Sequence, residues 1–130
     1  MPVHPLQRDP ESAPFFDGTA EGRLLIRRSP STGEHLPPAA QTGSDGSTDL
    51  EWAEASGRGR IATWAAVHRK PDAEGRTHPV VIAIVELDEG PWLHARIVRA
   101  APEDVRSGRE VTVEFERPEG GEAIPVFALA

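Results

Sequence analysis

Arg27-Arg28-Ser29-Pro30-Ser31-Thr32-Gly33, a Pro37-Pro38 loop, and then Thr42-Gly43-Ser44-Asp45-Gly46-Ser47-Thr48-Asp49-Leu50-Glu51-Trp52 form the stretch whose reading decides the fold. If Ser29, Thr32, Thr42 and Asp45 are read as cysteines, it becomes two C-x-x-C knuckles with the spacing of a four-thiolate zinc ribbon. The chain has no cysteine. The expectation is a degenerate, metal-free ribbon with Ser29, Thr32, Thr42 and Asp45 standing at the ligand positions. Neutral hydroxyls bind zinc poorly, which leaves Asp45 and, as the nearest imidazole, His35. Two ligands do not make a structural site, so zinc is predicted absent.

On the N-terminal side, residues 1–11 are rich in proline and polar groups and read as a flexible arm. Ser12 is placed to cap a short helix whose first turn tolerates Pro14, with Phe15 and Phe16 as its anchors. Gly22 precedes a strand-like run from Arg23 to Arg28. Residues 29–48 carry scarcely an apolar side chain and alone would read as a long loop, a type that is usually functional or mobile. The N-terminal helix and ribbon are assigned to 12–52.

On the C-terminal side the signal is β. Leu50 and Trp52 begin one strand, and Gly57-Arg58-Gly59 marks a turn or bulge. From Arg60 the pattern alternates, placing Ile61, Thr63, Ala65 and Val67 on one face and Ala62, Trp64, Ala66 and His68 on the other. Val80 to Leu87 is nearly continuous in apolar residues and predicts a strand buried on both faces. Glu89-Gly90-Pro91 turns the chain into a return strand from Trp92 to Arg99. A helical turn is expected at Pro102–Val105, then strands around Val111–Phe115 and Ile124–Leu129. Short strands with glycine at the corners fit a closed five-stranded barrel of the OB type over 53–130, so the fold class is mainly β.

Composition narrows the function classes. The 130-residue chain carries a formal charge of −7, which disfavours general binding to phosphate backbones. Aromatics make up only 5% of the residues, too few for a stacking platform, so a single-stranded nucleic-acid binder is the weaker reading. The N-terminal residues lack the apolar core of a secretory signal, and the longest aliphatic run, Val80 to Val85, is too short to span a bilayer. A cytoplasmic protein without membrane contact is the expectation.

No enzyme signature is found. Ser56 lies in a turn without the flanking strand and helix of a nucleophile elbow. His68 and His94 read as surface histidines, and Glu86 and Asp88 as a solvated strand end rather than an acid–base couple. A basic cluster of Arg23, Arg27, Arg28, Arg69 and Lys70 could hold the phosphates of a CoA-like ligand if its members converge.

Phe15-Phe16-Asp17-Gly18, Gly22-Arg23-Leu24 and the twin knuckles resemble the DUF35 family of acyl-CoA-associated proteins, in which a rubredoxin-like zinc ribbon is joined to an OB-fold. The resemblance runs on, in family order, through Gly46 to Trp52, Ser56 to Gly59, Trp64 to His68, Pro79 to Gly90 and Pro102 to Gly108. It implies a non-catalytic accessory subunit for a thiolase-superfamily enzyme (thiolase, aldolase or acyltransferase) acting on acyl-CoA thioesters in lipid or steroid breakdown. A MaoC-like hydratase is a further partner that it implies, with a CoA thioester as a shared ligand. The expected partner surface is the ribbon with Leu36, the Phe15-Phe16 helix, and a barrel face carrying Trp64 and Trp92. The stand-alone alternative is an acyl-CoA or nucleotide-binding module. The absent cysteines depart from the family pattern and leave the ribbon to be braced by hydrogen bonds, by packing of Leu36 and the prolines, or by a partner.

Overall fold

The computed structural model describes residues 9–68, 71, 73–75 and 79–130; residues 1–8 of the expected arm lie outside them. Helix α1 spans Ala13–Ala20 with Pro14 in its first turn, where a missing N–H costs nothing. Ser12 occupies the cap position, but its hydroxyl accepts from the Asp9 amide at 3.0 Å, and its own amide donates to Asp9 Oδ1 at 2.8 Å. The two residues thus close a turn ahead of the helix instead of capping it.

Strands β1 (Leu25–Arg28), β2 (His35–Leu36) and β3 (Glu51–Glu54) make an antiparallel sheet in the order β2-β1-β3. The knuckle segments connect these strands. The helix approaches β1 so closely that a Cβ on Gly18 would lie 2.7 Å from Leu25 Cγ, so only glycine fits there.

Strands β4 (Arg58–Val67), β5 (Val80–Leu87), β6 (Trp92–Val98), β7 (Glu110–Glu116) and β8 (Ile124–Leu129) close a barrel in the order β4-β5-β6-β8-β7. All neighbours are antiparallel except β6 and β8, which pair parallel at Ile97–Phe127 and Val98–Ala128. This is the closed Greek-key order of an OB-fold. A 3-10 turn at Pro102–Asp104 supplies the expected helical turn. At the barrel's closing seam Gly59 sits against β5, where a Cβ would come within 2.5 Å of the Glu86 carbonyl oxygen.

Two sequence expectations are corrected. The alternation of β4 is interrupted by a register shift between Ile61 and Thr63. The bulge turns Ile61 to the buried face that also takes Trp64, while Thr63, Ala65 and Val67 are exposed. Strand β5 is buried on one face only: Val81, Ala83, Val85 and Leu87 are inside, whereas Ile82 is 43% exposed. A closed barrel has a single interior, so apolar residues at both parities of a strand leave one set facing outward.

One apolar core runs through both sheets. Leu24, Ile26 and Ala55 from the ribbon side pack in one cluster with Ile61, Val85, Ile97, Val105, Val111 and Phe127 of the barrel side. The Ala55 amide donates to the Leu24 carbonyl at 2.8 Å, extending the β1–β3 pairing into the linker. Buried Thr19 ties the helix to the barrel by donating to the Ala123 carbonyl at 2.7 Å.

Candidate functional site

The ribbon positions come first. In the first knuckle the Ser29 amide donates to the Glu34 carbonyl at 2.9 Å, and the Gly33 amide donates to the Ser29 carbonyl at 2.7 Å. In the second, the Gly43 amide donates to the Ser47 carbonyl at 2.9 Å, and the Gly46 amide to the Gly43 carbonyl at 3.0 Å. Gly33 and Gly46 both have positive φ, 77° and 83°, the conformation such tight turns require.

The knuckles meet through side chains. Asp45 Oδ1 accepts from the Ser47 hydroxyl at 2.7 Å and from its amide at 3.0 Å. Those bonds hold the Asp45 carboxyl below its ordinary pKa, the hydroxyl contributing most. Ser47 Oγ lies 3.4 Å from Ser29 Oγ, which lies 3.0 Å from Ser31 Oγ. A carboxylate only accepts, so Ser47 must spend its one hydroxyl proton on Asp45. It then accepts from Ser29, which accepts from Ser31, and the direction of the chain is fixed. Glu34 makes a second link across the knuckles, its Oε1 accepting from the Ser44 amide at 3.1 Å and the Ser44 hydroxyl at 3.0 Å.

Of the four ligand positions, Ser29 and Asp45 are thus brought together through Ser47. Thr32 turns to the Glu34 amide at 3.2 Å, and Thr42 is exposed. The zinc that the ribbon outline implies does not fit this donor set. Among the described residues there is no group of three or more His, Cys, Asp or Glu that could hold a metal ion. The one carboxylate at a ligand position is already engaged by Ser47.

Among the described residues of the basic cluster, Arg23, Arg27 and Arg28 each engage a different partner. Arg23 pairs with Glu54 and Glu21, and its guanidinium pKa is raised, chiefly by the Glu54 hydrogen bond. Arg28 pairs with Glu51, its opposite residue on β3, at 2.6 Å. Arg27 lies over the ring of its own cross-strand partner Trp52, 4.5 Å from the centroid, and donates to the Leu50 carbonyl at 3.0 Å. Arg69 and Lys70 lie outside the described residues.

The candidate partner residues fall in different environments. Phe16 is a core residue, 6% exposed, in edge-to-face contact with half-buried Phe15 at 5.2 Å. Both border an apolar groove of about 400 Å³ with Leu93, Ile124 and Phe127, where β6 and β8 diverge beyond their short pairing. Leu36 is half-buried on β2, opposite Arg27. Trp64 and Trp92 do not share a face: Trp64 packs against the barrel core, whereas Trp92 is 54% exposed and donates to Glu86 at 3.1 Å.

What the sequence reading missed is the outer face of β4 and β5. Val67 is 44% exposed beside Ala65, and Ile82 is paired across from Ala65 and Arg96. The signal was present in the unbroken apolar run of β5, which in a closed barrel means an apolar exterior.

A ribbon-shaped sheet without metal ligands, sharing its core with an OB barrel, defines the class of protein. Residues 52–116, half of the chain, match the family described as the ChsH2 C-terminal OB-fold domain, and the chain belongs to this DUF35 group. A solved structure titled "Ltp2-ChsH2(DUF35) aldolase" superposes with a TM-score of 0.80 at 27% identity, covering 94% of this chain and 96% of that one. A DUF35-family protein of unknown function from Sulfolobus solfataricus has the same fold, with a TM-score of 0.67 at 15% identity over 93% of this chain and 86% of that one. The Mycobacterium tuberculosis 3-oxo-4,17-pregnadiene-20-carboxyl-CoA hydratase alpha subunit is 33% identical over 81% of this chain and 33% of its own length. A Methanocaldococcus jannaschii DUF35 domain-containing scaffold protein is 40% identical over 54% of this chain and 50% of its own. The chain therefore spans between a third and a half of the length of these two curated relatives.

Proposed function

We propose that this chain is a non-catalytic accessory subunit that binds and stabilises a thiolase-superfamily enzyme acting on acyl-CoA thioesters, in lipid or steroid breakdown. One observation carries the reading: the fold matches, over nearly the full length of both chains, one whose title couples ChsH2(DUF35) with Ltp2 in an aldolase. Relatives named as scaffold proteins support a role without chemistry of its own, and relatives named as hydratase subunits support a hydratase as a second partner. Exposed Val67 and Ile82, on the outer side of the paired strands β4 and β5, are the apolar residues offered for docking. Stand-alone CoA binding is less well supported, because Arg23 and Arg28 already face carboxylates. Size-exclusion chromatography and calorimetry with a thiolase-like enzyme from the same genome should give a stable complex. No association at micromolar concentrations would sink the proposal. Calorimetry of the isolated chain with CoA and an acyl-CoA should be silent.

A further inference from the structure

The knuckles of this ribbon are closed at the point where a zinc ribbon places its ion, although the donor set cannot hold one. A Cβ built on Gly43, beside the Thr42 position, would lie 3.7 Å from Ser29 Cβ, 2.9 Å from Ser47 Oγ and 3.1 Å from Asp45 Oδ1. The Gly43 backbone of one turn thus lies close to Ser29 of the other, and Ser29 Oγ and Ser47 Oγ, 3.4 Å apart, join the two turns. Ser29 is completely buried at this junction, and its hydroxyl is satisfied by Ser31 and Ser47. A buried hydroxyl with two partners contributes to stability, whereas one left alone would cost it.

We propose that a polar junction replaces the metal centre in this chain: the directed run Ser31–Ser29–Ser47–Asp45, with the Glu34–Ser44 link, holds the two knuckles in ribbon register without any ion. Each bond is weaker than a zinc–thiolate bond, but the junction does not act alone. Leu24 and Ile26 anchor β1 in the barrel core, so the hydrogen bonds need only fix the turns of a sheet that is already tethered. A ribbon built this way depends on neither zinc supply nor reduced thiols, both of which a thiolate site needs. It should keep its shape under chelators and peroxide.

The test uses the full chain and reads only its own fold, so failure here is distinct from failure of the partner reading. Purified protein should contain no stoichiometric zinc, and its Tm should be the same with excess chelator, excess zinc or peroxide. A Tm that falls with chelator would overturn the proposal, since an ion bound to the native state must stabilise it. Ser47→Ala should speed amide exchange at Ser29, Gly33, Gly43 and Gly46 by roughly tenfold while sparing the barrel amides of Val85 and Val111. Ser47→Thr, which keeps the hydroxyl, should restore protection. Unchanged exchange in Ser47→Ala would overturn the junction. Should that variant not fold, Glu34→Ala, which removes the acceptor for both Ser44 bonds, gives the same reading through the second link. Finally, a variant combining Ser29→Cys, Thr32→Cys, Thr42→Cys and Asp45→Cys should take up one equivalent of cobalt with a tetrahedral thiolate spectrum and become sensitive to chelator. Failure of the folded variant to bind cobalt would show that the knuckles are not in ribbon register.

Discussion

Asp45 shows how much a single residue can take over. Its carboxylate accepts two bonds from Ser47, and its pKa is lowered from the ordinary 3.8, first by the hydroxyl and then by the amide. The folded value lies below the unfolded one, so the contribution is fully present above 3.8 and is lost as the pH falls through the folded value. The Ser47 amide resonance should therefore titrate with a midpoint below 3.8, and a midpoint at or above that value would mean the bonds are not formed in solution. Asp45 was singled out in the sequence by the knuckle spacing, with Gly46 and Ser47-Thr48-Asp49-Leu50 following it. Ser47 and Glu34 were not legible, being ordinary polar residues whose partners lie across the knuckles and become neighbours only once the sheet has formed.

At the scale of the element, β5 is the instructive case. Its apolar run announced a strand and suggested burial on both faces, whereas the barrel buries only one. Continuous hydrophobicity suits a strand covered on both sides, as in a parallel sheet, and equally a barrel strand whose outer side meets another protein. Closure of the barrel separates the two cases, and closure depends on the short β6–β8 pairing between segments distant in sequence. The bulge after Ile61 was hidden for a related reason, since Ala62 and Thr63 carry no local mark of the register shift. The outer face also supports an expectation. Ile82→Asp should cost the isolated chain about 1 kcal/mol or less, the span of strand propensity at an exposed site, because the side chain is 43% exposed. The same change should weaken binding of the proposed thiolase-like partner at least tenfold by calorimetry, as expected for a charge placed in a buried interface. Full affinity in this variant would move the docking face elsewhere on the molecule.

At the scale of the whole molecule, the ribbon and barrel are two architectures but one core. Small ribbons in general draw their folding energy from the metal, and the described residues of this one offer no ligand set for it. The apolar cluster supplies what is missing, because Ile26, fully buried on β1, lies in the same cluster as Ile61, Val85 and Phe127. Ile26→Ala should therefore cost about 2–5 kcal/mol, the range for truncating a large core side chain, even though it lies in the ribbon. It should also leave unfolding a single transition, since the cavity opens in a core common to both sheets. Fluorescence is a suitable probe because the tryptophans are distributed: Trp52 stacks under Arg27 in the ribbon, and Trp64 packs in the barrel. Denaturation of variants retaining one or the other tryptophan should give coincident midpoints, both lowered together by Ile26→Ala. A ribbon signal that melts first, with the barrel midpoint unmoved, would show two separately stabilised units, and the ribbon would then need its partner to persist.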